Sequence, residues 1–325
     1  MIYIKKYFDE TDRKALYDSL ADKNQGKKEE KKPLLVHLIH HKNKHYFNSN
    51  LYGTEVIKDK LLSFFHGKCG YCEDFMGNTH VELKPDWDWQ IEHYRPKAKV
   101  FEDHLHTGYY WLAYECTNFL IGCPICNGLR RKGDKFPIAN GVNRLTDVNF
   151  VENNSLKLDV CSLFHPIFKT EKPLLVNPVL DNPKDFFAFL PDGTMEGKDV
   201  EGRGDTSIKI YGLDRKALRL RRRKIVDNIR KSIAKEMKRL VQIKNPDVKN
   251  KKIKEEIEHH LKDLLSDIKN PESTFIAFKC AIFVQFDSFI FKNENALAYG
   301  SEPFIMPERV ALLNAYMEMK QKPIH

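Results

Sequence analysis

Two Cys-x-x-Cys pairs, Cys69/Cys72 and Cys123/Cys126, bracket residues 73–122, and this spacing restricts the fold more than any other pattern in the chain. Each pair can set two thiolates on a tight turn, and two such turns complete the tetrahedral four-sulfur shell of a structural zinc ion. The chain between them is then a loop held at its base. It contains Glu92-His93-Tyr94-Arg95-Pro96, and Asn127 directly follows the last cysteine.

The chain has seven cysteines. Cys116, Cys161 and Cys280 have no neighbour at ligand spacing and read as free buried thiols. The N-terminal run MIYIKKYFDETDRK turns charged before any apolar stretch develops, so no export signal is expected. In such a chain paired thiols are metal ligands rather than disulfides. No apolar run approaches the length of a membrane span, and the expected location is the cytoplasm. At 325 residues, with 42% hydrophobic side chains, the chain can form two or three cooperative units.

Within the held loop, Gln90 to Lys97 predicts a strand end running into a turn at Pro96, because the residue before proline favours extended geometry. Gly108 to Tyr114 predicts a short buried helix, and Asn118 to Gly122 a short strand. Pro124 suits the first turn of a helix, and Asn127 falls on that turn, facing back toward the loop.

These residues resemble the HNH nucleases, a ββα-metal fold in which a hairpin and a helix hold one divalent cation against the scissile phosphate. The resemblance matches Glu92-His93 to the acidic-His pair, Asn118 to the central Asn and Asn127 to the last member. It implies that His93 is the general base, that Glu92 and Asn127 bind Mg²⁺ or Mn²⁺, and that Asn118 braces the histidine loop. Neutral imidazole, with an ordinary pKa of about 6.5, can take a proton from water. A cation on oxygen donors offsets charge at the phosphate and the leaving oxygen.

The likeness narrows further. Residues 69–73, 91–97, 109–114 and 131–138, then Pro173 to Asp181 and Leu213 to Arg221, are similar to the HNH nuclease subunit of Septu-type anti-phage systems, which also occurs beside some retrons. That similarity runs from about Lys68 to Arg223. It implies DNA cleavage with an ATPase partner, PtuA. One departure stands out: the family pattern Asn-x-x-Lys puts Arg130 at the lysine position, while the nearest lysine, Lys132, lies two residues later. Either Arg130 replaces that lysine, or the helix carries an insertion. Candidate phosphate contacts are Arg95, Lys97, Arg130, Arg131 and Lys132.

A net charge of +9 suits a phosphate-bearing partner, since basic groups displace counterions from nucleic acid. From Arg215 to Lys224, seven of ten residues are basic and none is acidic; this face fits DNA, an acidic partner or plain solvent. It opens a long helix with Val226, Ile229, Ile233, Met237 and Leu240 at helical spacing. Further helices are predicted over Phe8 to Leu20 and Thr54 to His66, with a flexible lysine-rich loop from Asp22 to Pro33. His37, His40, His41 and His45 follow it in packing or surface roles. A hairpin is expected around Pro191-Asp192-Gly193-Thr194, an insertion over Ser155 to Lys172, and an exposed helix edge over Asn250 to His260.

The expected fold is thus α+β and mainly helical. Its parts are an N-terminal helical region (1–66), an HNH core with zinc knuckles (67–140), a loop-rich platform (141–212) and a helical C-terminal region (213–325). Two other readings stay open: a zinc-held nucleic-acid-binding or adaptor module without catalysis, and an RNase using the same site.

Overall fold

A computed structural model gives the fold and describes residues 1, 3–22, 47, 49–76, 89–152, 155–240, 242–291, 314, 316 and 317. The lysine-rich stretch after Asp22 and the four histidines from His37 to His45 lie outside the described residues. The chain is mainly helical α+β and divides into two compact units: residues 1–187 with 197–213, and residues 188–196 with 214–325.

The first unit opens with α1 (Glu10–Asp22). Asp9 caps it, its carboxylate accepting from Asp12 N–H at 2.9 Å. A single turn, α2 (Ser49–Tyr52), precedes α3 (Glu55–Phe65). Thr54 caps α3, and His66 ends it in the left-handed region at φ 50°. Ile57, Leu61 and Phe65 line its buried face, the i, i+4 pattern of an amphipathic helix. Its C-terminal end delivers the chain to the first cysteine pair.

β1 (Gln90–His93) and β2 (Phe119–Gly122) form an antiparallel hairpin in which Gln90 faces Gly122 and His93 faces Phe119. α4 (Pro124–Asn127) follows at once, with proline at its start. Between the strands, the predicted helix over Gly108 to Tyr114 is only a 3-10 turn, Tyr110–Leu112. Gly108 at φ 80° and the bond from Tyr109 N–H to Pro96 C=O at 2.8 Å tie the main chain elsewhere. The side chains are buried as expected: Trp111 stacks on Phe150, which stacks on Phe168, both at 5.2 Å between centroids.

Beyond the hairpin the chain is irregular: a two-residue pair β3 (Val151–Glu152) and β4 (Ser155–Leu156), then α5 (Leu158–Cys161). β5 (Phe187–Phe189) and β6 (Met195–Gly197) make the hairpin expected around Pro191 to Thr194. Asp192 ties its tip by accepting from Thr194 N–H at 2.9 Å. α6 (Arg203–Tyr211) closes the first unit and ends on Gly212 at φ 65°, a left-handed C-cap that glycine adopts without strain.

The second unit contains α7 (Lys216–Leu240), α8 (Pro246–Lys269), α9 (Ile276–Val284) and α10 (Phe286–Ile290). The seam of α7 is Leu218, Arg222, Val226, Arg230, Ile233, Met237 and Leu240, so Arg230 takes the inward place expected for Ile229. Along α8 the stretch from Asn250 to His260 is no plain exposed edge: Ile253, Ile257 and His260 are buried, the inward stripe of an amphipathic helix. Among the described residues, no helix is long and apolar enough to cross a membrane.

Candidate active site

The four knuckle cysteines come together. Their sulfurs all lie within 4.8 Å of one another, and Cys72 and Cys123 are 4.0 Å apart, much too far for a disulfide at about 2.05 Å. Zinc–sulfur bonds of about 2.3 Å in tetrahedral geometry demand such a spacing, so the donor set fits one structural zinc ion. Cys123 N–H also donates to Cys69 Sγ at 3.3 Å, a contact that favours thiolate. Gly70 N–H reaches Ile121 C=O at 2.8 Å, which fastens the first knuckle to β2. Of the single cysteines, Cys116 and Cys161 are buried, while Cys280 is half-buried rather than interior.

Strand alternation sets the chemistry of the hairpin, because neighbours along a strand point to opposite faces. Gln90 and Glu92 share one face with Gly122. A Cβ placed on Gly122 would lie 3.3 Å from Asn127 Cβ and 3.6 Å from Glu92 Cβ. The missing side chain thus leaves a gap flanked by a carboxylate and an amide. Asn127 Nδ2 donates to Gln90 Oε1 at 2.8 Å, which leaves the amide oxygen as the atom a cation would take. Carboxylate and amide oxygens are the donors Mg²⁺ and Mn²⁺ prefer.

Glu92 is almost fully buried and pairs with Lys132 at 3.1 Å. Tyr71 O–H donates to the same carboxylate at 3.4 Å. Burial raises the Glu92 pKa above its ordinary value, with Lys132 and Tyr71 pulling the other way. Lys132 also donates to His93 C=O at 3.4 Å, linking the two halves of the Glu92-His93 pair.

His93 is the last residue of β1 and takes the opposite face, between the rings of Tyr52 (5.0 Å) and Phe119 (5.1 Å). Its Nε2 lies 2.9 Å from Ala113 C=O. A carbonyl only accepts, so Nε2 carries the proton and Nδ1 keeps its lone pair. Burial pushes the imidazole pKa down to about 3, with Lys97 and Lys132 adding to the effect, so the ring is neutral. Lys97 is itself lowered to about 8 by burial, and Glu92 opposes that shift; its charge therefore acts on both members of the pair.

Asn118, fully buried, grips the main chain just past His93. Its Oδ1 accepts from Arg95 N–H at 2.9 Å and its Nδ2 donates to Arg95 C=O at 3.0 Å. Glu92 and Asn127 thus flank the gap at Gly122, Asn118 holds the main chain two residues past His93, and Lys132 touches both Glu92 and the His93 carbonyl.

Two proposed phosphate contacts need correction. Arg95 is 1% exposed, ion-paired with Glu171 and set against the rings of Tyr109, Phe136 and Phe168. Lys132 is wholly buried on Glu92. Neither can meet a phosphate at the surface, because leaving would strand a buried carboxylate. Arg130 is exposed, Lys97 is half-buried beside Tyr52, and Arg131 is half-buried where any side chain on Gly212 would collide with it. In α7, Arg222 likewise leaves the basic face: it is buried and donates to Gly193 C=O at 2.7 Å.

Lys132 N–H donates to Cys126 C=O at 3.2 Å, six residues back where an α-helix would use four. The chain has left the helix after Asn127, and Lys132 reaches Glu92 while Arg130 is exposed. Sequence reasoning missed Tyr71, Gln90 and Tyr52. Tyr71 sits inside the first knuckle, and Gln90 lies two residues before Glu92 on one strand face, so both had a signal; Tyr52 had none.

The paired strands, the short helix after them and the four-thiol cluster bring a carboxylate, two amides and an imidazole together around one hairpin. The chain is 34% identical over 187 residues to the Septu protein PtuB of Bacillus mycoides (strain KBAB4), a match covering 56% of this chain and 55% of PtuB. Over that stretch the protein is PtuB-like, and the chain spans about half the length of the curated relative it matches. No family model matches the sequence, and no solved structure matches.

Proposed function

We propose that this protein is a metal-dependent HNH endonuclease that hydrolyses DNA, acting as the nuclease component of a Septu-type defence system beside a PtuA-like ATPase. The observation that carries this reading is the gap at Gly122 on β2, flanked by Glu92 and Asn127, beside the paired strand β1, whose last residue is a neutral, oriented His93. The PtuB likeness supports the defence role and the partner.

In this reading the scissile phosphate lies across the hairpin beside Glu92 and His93. His93 takes a proton from the attacking water at Nδ1, while Ala113 C=O fixes the ring through Nε2–H. A bound phosphodiester carries negative charge, which raises the imidazole pKa from its low resting value and makes the ring a better base. Asn118 holds the turn after His93 so that the ring keeps its aim. Glu92 and Asn127 would hold Mg²⁺ or Mn²⁺, which offsets charge on the phosphate and on the leaving oxygen. The four thiolates have no open position for substrate and serve as a staple.

The test is His93→Ala, purified with its zinc content measured. It is expected to stay folded, keep zinc and lose about 10²–10⁴-fold in plasmid cleavage; parental rates in that variant would remove His93 as the base. A Mg²⁺ and Mn²⁺ titration separates an enzyme from a pure binder, which cuts at no metal concentration. Duplex DNA, single strands and tRNA offered in parallel decide between DNA and RNA.

A further inference from the structure

The first unit contains a cavity of about 450 Å³ that the hairpin chemistry does not use. That volume lies in the range of small-molecule sites, roughly 300–1,000 Å³. Its wall includes Tyr94 and Arg95, the two residues after His93, and the stretch Val179-Leu180-Asp181. Four cations line it, Arg95, Arg203, Lys169 and Lys172, against two carboxylates, Asp181 and Glu201.

The two arginines show what is missing. Arg95 pairs with Glu171 and donates to Phe168 C=O at 2.9 Å, yet its Nε–H has no hydrogen-bond partner among the described residues, although the side chain is 1% exposed. Arg203 grips Asp181 with both terminal nitrogens, at 2.6 and 3.0 Å, and its buried Nε–H is likewise without a partner among the described residues. Unsatisfied buried donors are rare and call for an explanation such as a bound group. Asp181 is paired with Arg203 and Arg95 with Glu171, so the remaining wall charges are Lys169 and Lys172 against Glu201, a net excess of one positive charge. Lys169 and Lys172 are exposed, and Phe164, 50% exposed, adds a large aromatic face beside the buried Phe168. Cations beside aromatic faces suit a molecule with a phosphate and a flat ring.

We propose that this cavity binds a nucleoside monophosphate, its phosphate toward the arginines and lysines and its base against the aromatic wall. The assignment is independent of the nuclease reading, because it concerns binding alone. A ligand there would bear on the Arg95 side chain, whose main chain Asn118 clasps.

The experiment is calorimetric titration of the full chain with AMP and, separately, with adenosine. AMP is expected to bind, and adenosine, lacking the phosphate, at least about tenfold more weakly. Two variants place the site. Lys169→Glu with Lys172→Glu changes only exposed side chains and is expected to weaken AMP about tenfold or more, with an unaltered unfolding midpoint. Leu180→Trp fills the cavity and is expected to abolish binding; should it unfold, the lysine pair decides. No AMP binding at about 1 mM, equal affinity for adenosine, or unchanged affinity in the lysine variant overturns the proposal.

Discussion

Around the hairpin, charged side chains go inside in opposite-charge pairs: Lys132 with Glu92, Arg95 with Glu171, Arg13 with Glu115. In the C-terminal helices the inward arginines lean on main-chain carbonyls, Arg222 on Gly193 with a longer ion pair to Asp214 at 3.5 Å, and Arg230 on Phe289. The apolar seam there carries the packing. The difference follows from regularity. Helices satisfy their own main chain and need only a greasy stripe, whereas the irregular chain of the first unit must be tied by specific contacts. A buried ion pair is tolerable while both members remain and costly when one is removed. Stability in the first unit therefore hinges on single residues, and in the second it is spread along a seam.

The sharpest way to break this comparison is to remove the staple. Cys126→Ser, or a strong chelator, is expected to unfold the first unit, since structural zinc is worth on the order of 10 kcal/mol. Limited proteolysis should then degrade residues 1–187 while the C-terminal helices resist; an intact hairpin without metal would sink the staple. Next in size is Arg95→Ala, which strands Glu171 and should cost about 3–5 kcal/mol in urea unfolding. Arg95→Ala with Glu171→Met should recover part of that loss, and a loss that grows instead would argue against pairing as the cause.

In the second unit Ile233→Ala should cost about 2–4 kcal/mol through the cavity it leaves. A loss near zero would mean that the seam is not where this unit holds together.

A smaller effect depends on pH. The folded state holds His93 near 3, while an unfolded histidine titrates near about 6.5. The depressed value means this contribution is present above about pH 6.5 and is lost as pH falls toward 3, because the unfolded chain takes up the proton first. Urea midpoints of the parent should drop more steeply than those of His93→Asn between about pH 7 and pH 5; parallel curves would contradict the buried neutral ring. The smallest change expected is Lys262→Ala, which removes an exposed pairing with Glu258 on α8 and should shift stability by less than about 0.5 kcal/mol.

Motifs that depend on neighbours in the chain were legible. The cysteine spacing, the strand stop before Pro96, the helix start at Pro124 and the apolar repeat after Arg215 each express a local rule, and the corresponding elements stand where those rules put them. What depended on packing was not legible. Arg95 and Lys132 look like surface cations in sequence, since basic residues are seldom buried unless paired. Their partners lie 76 and 40 residues away.

The sequence alone determined that four thiols would meet and that a histidine, a carboxylate and two amides would be carried between and beside them, because ligand spacing and strand period are properties of adjacent residues. Only the tertiary structure decided that Lys132 and not Arg130 reaches Glu92 and that Arg95 faces inward. Those outcomes depend on which distant side chains could satisfy a buried charge, and no local rule contains that.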